Sequence, residues 1–535
     1  MLDYFGDRGP AAGVSARYQG GDVAEGSGQP WSFEGGLRSY FVYDHGYDQV
    51  GRATPQPPPG EEFDSRLRGH ILFEHQHVLP DHWQAQIRAG WVSDQEFLEQ
   101  WFPKYFDREL PHDVSVYLKR QQDTEAFTLL LQVQPNDVVT TADLMQEQFE
   151  VEHFPEIGYR RIGDDLGGIA TFYSENTVAG LHFQRTRYSL AEQGFVGAIN
   201  TGLPSLGTTG VTDDTVWRGD FRQEVTFPFS AGPLRVVPYV MGRYTAYTDS
   251  PEHGTVHRLF GGVGARVSTA FWKVDDLAES ELFDIHRLRH VIEPQVNVFT
   301  SASTYDRNDV FVYDERVDSI NDVSAVQFGV QQRWQTYRGG PGRWRSVDFL
   351  TLNVEAVLFA NQPNDAALNP RGFRGLFFNS LPEASVPRNA INADLTWRVA
   401  DTTAILADVS WNADRSKLAT ASVGIVAQRD ERLSYYVGTR YIDEINSNIT
   451  TVAIDYQLSS KYNLSIAQAF DFGLGENVVS SVGVIRKFDT FFLVLRAFHN
   501  ETTDQSGVSF NITPRWLKAS ADTDVLNSAL ETRRR

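Results

Sequence analysis

The stretch 455–472, DYQLSSKYNLSIAQAFDF, decides how this chain is read. In its second half Tyr462, Leu464, Ile466, Phe470 and Phe472 fall on one side of an extended chain, interrupted by Gln468. Lys461, Asn463, Ser465, Ala467, Ala469 and Asp471 fall on the other side. Across a turn centred on Ser459 and Ser460, Val452, Ile454, Tyr456 and Leu458 oppose Thr451, Ala453, Asp455 and Gln457, so the neighbouring strand repeats the pattern. An apolar face of this kind touches a second sheet in a soluble sandwich and lipid in an outer-membrane barrel.

The same alternation runs outward in both directions. Between about 388 and 517, INADLTWRV, TAILADVSW, LSYYVGTRY, VVSSVGVIRKF, TFFLVLRAF and GVSFNITPRWL follow one another with short links. Each has about the 9 to 11 residues that a tilted membrane strand needs. Earlier stretches such as WSFEGGLRSYFVY, RGHILFEHQH, AFTLLLQVQ and LFGGVGARVSTAF read alike but carry longer connections. The whole gives roughly two dozen strands, which fits an all-β, antiparallel, up-and-down transmembrane barrel over residues 1–517 with a polar tail at 518–535. Half-buried strands of soluble sandwiches and propellers alternate too, although no repeat of about 40 to 50 residues marks propeller blades. Short turns such as LPDH alternate with long loops such as 46–64, the asymmetry expected of a barrel with one periplasmic and one outer end. Phe97, Leu98, Trp101 and Phe102 stand at near-helical spacing, which predicts a helical cap within 94–110.

Composition narrows the classes. The mean hydropathy is −0.35 and no run approaches the ~18 apolar residues of a membrane helix. Half of each barrel strand faces a polar lumen, so this leaves a membrane barrel open. Aromatic residues make up 13% and there are 43 glycines, which suits aromatic belts and tight turns. With no cysteine there is neither a disulfide staple nor a thiolate metal site. A formal charge of −21 argues against nucleic acid as a partner. Met1 is followed by LDYFGDRGP, without the basic and apolar regions of a signal peptide.

Local motifs for chemistry are weak. His75 and His77 share a strand face near His70, as two zinc ligands would, yet no third ligand is signalled, and histidines on a wet face are more often plain polar residues. The adjacent Asp164 and Asp165 lack the spacing of a catalytic pair. Nothing resembles a nucleophile elbow, a phosphate loop or a dinucleotide fingerprint, so no enzyme and no cofactor is expected. Prolines at 10, 155, 238, 294, 382 and 514 lie in or beside strand-like runs. Each removes a ladder donor, which suits rims, bulges, or a weakened seam where a first and a last strand meet.

Several runs resemble the outer-membrane lipopolysaccharide-assembly family, LptD or organic solvent tolerance protein. RLRGHILFEHQHVLPDHWQAQIRAGWVSDQEFL carries the family-like Arg68, Gly69, His75, Ser93 and Asp94. HFPEIGYR resembles a Leu-Pro-Glu-Ile motif through Pro155 and Glu156, with Phe154 in place of the leucine. RLRHVIEPQVNVF resembles central family strands at Arg289, His290, Glu293 and Pro294. The resemblance implies a barrel of about 26 strands that delivers lipopolysaccharide, or a related glycolipid, to the outer leaflet of a Gram-negative outer membrane. It further implies a lipoprotein plug, periplasmic bridge proteins that reach the barrel through a preceding jelly-roll domain, and sideways release of acyl chains into outer-membrane lipid.

Neither the jelly-roll domain nor a signal peptide is recognisable here, which makes a barrel portion of a longer product, or a mis-assigned start, the expectation. LDYFGDRGP resembles the hairpin after the family's first barrel strand. A gate is expected between 9–18 and 507–516, with Pro10, Gly13, Ser15, Gly507, Ser509 and Pro514 at the seam. Tyr462, Leu464, Ile466 and Phe470 are expected to face lipid, and Asn463, Ser465 and Asp471 the lumen. The readings that compete are a general porin and a soluble all-β carbohydrate-binding or enzymatic protein, the last of which would purify without detergent.

Overall fold

Wherever apolar and polar residues alternate, the chain runs as a strand. In the computed structural model these are β1 (Leu2–Phe5), β2 (Gly9–Val23), β3 (Pro30–Tyr43), β4 (Leu67–Val78), β5 (Trp83–Val92), β6 (Val114–Gln122), β7 (Glu125–Val133), β8 (Phe149–Leu166) and β9 (Ala170–Arg185). Next come β10 (Thr215–Thr226), β11 (Phe229–Ala231), β12 (Leu234–Tyr247), β13 (Val256–Ser268), β14 (Phe271–Ser280), β15 (Ile285–Ser303), β16 (Ser324–Arg338) and β17 (Arg345–Phe359). The last are β18 (Ala390–Ala400), β19 (Thr403–Asn412), β20 (Lys417–Gln428), β21 (Leu433–Ile442), β22 (Ser447–Tyr456), β23 (Tyr462–Asp471), β24 (Glu476–Lys487), β25 (Phe491–Asn500) and β26 (Gln505–Pro514). Among the described residues one short helix, α1 (Phe97–Trp101), lies between β5 and β6. The structure describes residues 2–6, 8–23, 30–48, 66–94, 96–102, 105, 112–136, 149–185, 215–249, 254–305, 313–314, 316–318, 320, 322–360, 388–443, 445–500 and 505–514. Pro382 and the expected tail at 518–535 lie outside them.

All 26 strands belong to one sheet. Contacts divide the chain into two compact units: Met1–Phe227 with Tyr239–Gly262 and Ala302–Asn321, and Pro228–Pro238 with Val263–Ser301 and Asp322–Arg535. In the first unit each strand from β1 to β10 pairs antiparallel with its chain neighbour. In the second the same holds from β14 to β26. This is the expected up-and-down, all-β architecture, and LDYFGDRGP does form the hairpin of β1 and β2.

Connections differ between the two ends of the strands. In the first unit β4–β5, β6–β7 and β8–β9 are joined by residues 79–82, 123–124 and 167–169, whereas β3–β4 and β5–β6 are joined by 44–66 and 93–113. In the second unit β14–β15, β16–β17 and β18–β19 turn within 281–284, 339–344 and 401–402, whereas β17–β18 spans 360–389.

The face question raised by 455–472 has a direct answer. Cross-strand neighbours Ile454, Ile466, Val482, Ala497 and Val508 form one apolar row over β22–β26, and Leu464, Val484, Leu495 and Phe510 form the next. Ile466, Val482, Leu495, Val508 and Phe510 are exposed, so no second layer of this unit covers that face. Ser465 and Asp471 are buried on the opposite face.

Pro155 and Pro294 mark interruptions inside strands, whereas Pro10 and Pro514 stand at strand ends. Both ladders of β8 skip from His153 to Glu156, leaving Phe154 and Pro155 in a bulge. The break between β13 and β14 at 269–270 lies opposite Pro294, which has no N–H to give; its carbonyl accepts from Thr269 N at 3.2 Å instead.

Candidate functional site: two buried arginine clusters

The motif residues of β4 and its surroundings meet at the long-connection end of the first unit. Arg68, 1% exposed, spends all five of its N–H donors on carboxylates. Its Nη1 donates to Asp44 and Asp48 at 2.9 Å each, its Nη2 to Asp48 at 2.7 Å and Asp94 at 2.6 Å, and its Nε to Asp94 at 2.9 Å. Arg8, from the β1–β2 turn, adds bonds to Asp44 at 2.6 and 2.7 Å and to Asp48 at 2.5 Å. Buried charge is tolerated because each guanidinium fork faces matching carboxylates.

Gly69 and Ser93 hold the next layer. Gly69 N donates to Ser93 Oγ at 2.9 Å, Ser93 N donates to Gly69 O at 2.9 Å, and Ser93 Oγ donates to Asp94 at 2.6 Å. A Cβ on Gly69 would sit 2.5 Å from both the Tyr40 carbonyl oxygen and the Phe41 ring, so only glycine admits this approach of β3. The expected cap is present as α1. Its Phe97 and Leu98 are buried with Ala11, Tyr40, Val42 and Val92, and Arg8 and Arg68 lie over the Trp101 and Phe97 rings at 5.1 and 5.7 Å. Arg68, Gly69, Ser93 and Asp94 are thus one constellation.

His75 lies apart from it. Its Nδ1 meets Tyr18 Oη at 2.8 Å, and its ring stands among Phe33, Phe73 and His77. Among the described residues no group of three His, Cys, Asp or Glu side chains is placed to hold a metal. Asp164 is engaged by Arg161 and Thr124, and Asp165 accepts from Gly168 N, as turn residues do.

A second cluster, which the sequence reading missed, is also in the first unit. Asp318 is fully buried and accepts from Arg218 Nη1 at 3.0 Å, from Tyr247 Oη at 2.5 Å, and from the backbone N–H groups of Tyr313 and Asp314 at 2.9 and 2.6 Å. Arg258 donates to the carbonyls of Asp318 and Val317 at 2.8 and 2.5 Å. Burial pushes the Asp318 carboxyl up, against the pull of Arg218 and Tyr247, and burial beside Asp318 and Asp249 raises the Tyr313 phenol to about 12. The connection between β15 and β16 is thereby bolted to the polar face of β10, β12 and β13. Arg218, Asp220, Arg222 and Glu224 alternate with Trp217 and Phe221 along β10, and this polar-face alternation was the available signal.

The central motif lies in the second unit. Glu293 pairs with Arg333 Nη2 at 2.5 Å, His290 stacks on Trp334 with ring centroids 4.3 Å apart, and Arg289 Nη1 reaches Gln335 at 3.3 Å. Glu156, beside Pro155, meets His153 Nδ1 at 2.8 Å. Of the residues assigned to a seam, Pro10 stands opposite Tyr4 of β1, and Gly13 and Ser15 stand opposite Tyr40 and Arg38 of β3. Gly507, Ser509 and Pro514 stand opposite Phe498, Arg496 and Phe491 of β25. Tyr462 and Ile466 are exposed, and Leu464 and Phe470 are half-buried.

Comparison with known proteins gives these clusters a context. The family described as LptD, LPS transport system D, matches residues 66–467, beginning at the Arg68 constellation. LPS-assembly protein LptD of Xanthomonas oryzae pv. oryzae (strain MAFF 311018) is 20% identical over 426 residues, covering 72% of this chain and 49% of the relative. The protein of the same name from Xanthomonas axonopodis pv. citri (strain 306) is 20% identical over 428 residues with the same coverage. The chain therefore spans about half the length of the curated relatives it matches. Among solved structures, the alcaligin outer-membrane receptor FauA from Bordetella pertussis superposes with a TM-score of 0.27 at 8% identity, over 94% of this chain and 75% of that one, too loosely to carry an argument. The family match spans most of the sheet, and on it the chain belongs to the LptD family of the lipopolysaccharide transport system.

Proposed function

We propose that this chain is the outer-membrane barrel of a lipopolysaccharide-assembly translocon, an assembly device rather than an enzyme. The observation that carries the reading is the family match over residues 66–467, on a sheet with an exposed apolar face and a buried polar one. Acyl chains prefer lipid by about 0.8 kcal/mol per methylene, whereas sugars and phosphates do not enter it cheaply. A polar lumen with a lateral slit meets both demands. The partners on this reading are the glycolipid itself, a lipoprotein plug in the lumen, periplasmic bridge proteins acting through a jelly-roll domain, and the surrounding outer-membrane lipid.

The slit is proposed between the first strands and β26. Pro10 and Pro514 each remove a ladder donor from these segments, and a ladder with fewer bonds parts at less cost. Cysteines placed at Ser15 and Ser509 of the full-length protein test the reading, because the native sequence offers no other thiol. Ready crosslinking that blocks glycolipid delivery to the cell surface is expected. Efficient crosslinking with unimpaired delivery would overturn the gate, and unchanged surface glycolipid after depletion of the protein would overturn the function.

A further inference from the structure

Four arginines gather at the short-link end of β14–β18, in a chain whose formal charge is −21. Arg345 and Arg398 line a cavity of about 530 Å³ together with Gln335, Asp348 and Asp401. An adjoining hollow of about 290 Å³ shares Gln335 and Ser346 with it and is lined by Arg287, Arg289, Trp272 and Val274. All of this lies within the second unit.

Ion pairing leaves positive charge over. Arg287 is matched by Asp276 at 2.5 Å. Asp401 is shared between Arg345 at 2.5 Å and Arg338 at 3.4 Å. Among the described residues Arg289 is bonded to the neutral Gln335 and to no carboxylate; Gln335 Nε2 in turn donates to Asp348 at 2.7 Å. Arg398 is exposed, and its guanidinium has no carboxylate partner among the described residues. Arg289 and Arg398 therefore border the hollows without a carboxylate bonded to them, and with the Asp348 carboxylate set against the pair one positive charge remains over, beside two apolar side chains, Trp272 and Val274, that are exposed at 66% and 38%.

A planar fork of N–H donors matches phosphate oxygens, and exposed apolar surface next to it suits an acyl or other greasy appendage. We propose that the paired hollows bind a phosphoryl group, with Arg289 and Arg398 as its ligands and Trp272 as the contact for an attached lipid. The lipid-borne source rests on the translocon reading above; the phosphoryl chemistry does not.

Purified full chain in detergent, titrated calorimetrically with pyrophosphate and with a short-chain phosphorylated glucosamine lipid, tests this. Both ligands are expected to bind and to compete, the lipid more tightly. Arg289→Gln and Arg398→Gln are each expected to weaken both by about tenfold, the worth of a charged hydrogen bond, and Trp272→Ala only the lipid. Both residues border open space, so the variants keep the fold, which gel mobility of the unheated protein verifies. Unchanged affinity in both arginine variants, or failure of the two ligands to compete, overturns the site. Equal affinity for the two ligands, indifferent to Trp272→Ala, upholds the phosphoryl site and overturns the lipid source. Because binding is read on purified protein, these outcomes are independent of whether the crosslinked seam stops glycolipid delivery.

Discussion

Arg218 and Asp318 stand one hundred residues apart in the chain, yet they meet at 3.0 Å with neither side chain more than 1% exposed. Truncating one member of such a pair strands the other charge in a buried place, which costs about 3 to 5 kcal/mol. Asp318→Ala is therefore expected to lower stability by about that amount and Asp318→Asn by less, since the amide oxygen still accepts from Arg218. Urea unfolding of the detergent-solubilised protein measures it; a loss under about 1 kcal/mol for Asp318→Ala would contradict the bolted connection.

Arg68 gives a sharper version of the same test. Lysine at this position carries the charge but three donors in place of five, and cannot face Asp44, Asp48 and Asp94 at once. Arg68→Lys is expected to destabilise the first unit by about 2 to 4 kcal/mol and to loosen α1, visible as faster backbone hydrogen exchange in Phe97–Trp101. Slow exchange there in the variant would show that α1 is held by its aromatic contacts alone.

Gly69→Ala probes the close approach of β3. The added methyl meets a backbone oxygen, which cannot swing aside as a side-chain tip can. A cost of about 1 to 3 kcal/mol is expected from the overpacking. Thermal melts indistinguishable from the native protein would refute it.

The lipid assignment is tested on β23. Ile466→Arg places a charge on the exposed apolar row and is expected to cost about 2 to 4 kcal/mol in bilayer, while Asn463→Arg can pair with Asp455, to which Asn463 already donates at 2.7 Å. Spin labels at 463 and 466 with equal access to a lipid-soluble quencher would reverse the assignment of faces.

The sheet was legible because its period is two and its apolar face is continuous. Ile454, Ile466 and Val482 need only their own neighbours in the sequence to be placed on one side. The Arg68 constellation was half legible. Arg68, Gly69, Ser93 and Asp94 stood out as family-like positions, but Asp44, Asp48 and Arg8 come from other connections, and no local pattern joins them to Arg68. The Asp318 cluster was not legible at all: alternation locates Arg218 on the polar face and is silent about which distant connection supplies its counter-charge. The prolines were legible as interruptions but not as to which kind. For Pro155 and Pro294 the sequence left rims, bulges and a weakened seam open, and the structure has both within strands, where a bulge at 154–155 and a strand break at 269–270 absorb the missing donors.

That hundred-residue separation also orders the assembly of the protein. Hairpins such as β4–β5 can zip early in folding, since their partners are next in line and little loop entropy is lost. Arg218 cannot be matched by Asp318 until the segment beyond β15 has folded back, so until then the polar face of β10 must stay hydrated, with its guanidinium in water. The connection that carries Asp318 is thus a late-closing latch: it lies five strands beyond β10 in the chain, and water leaves that face only when it closes.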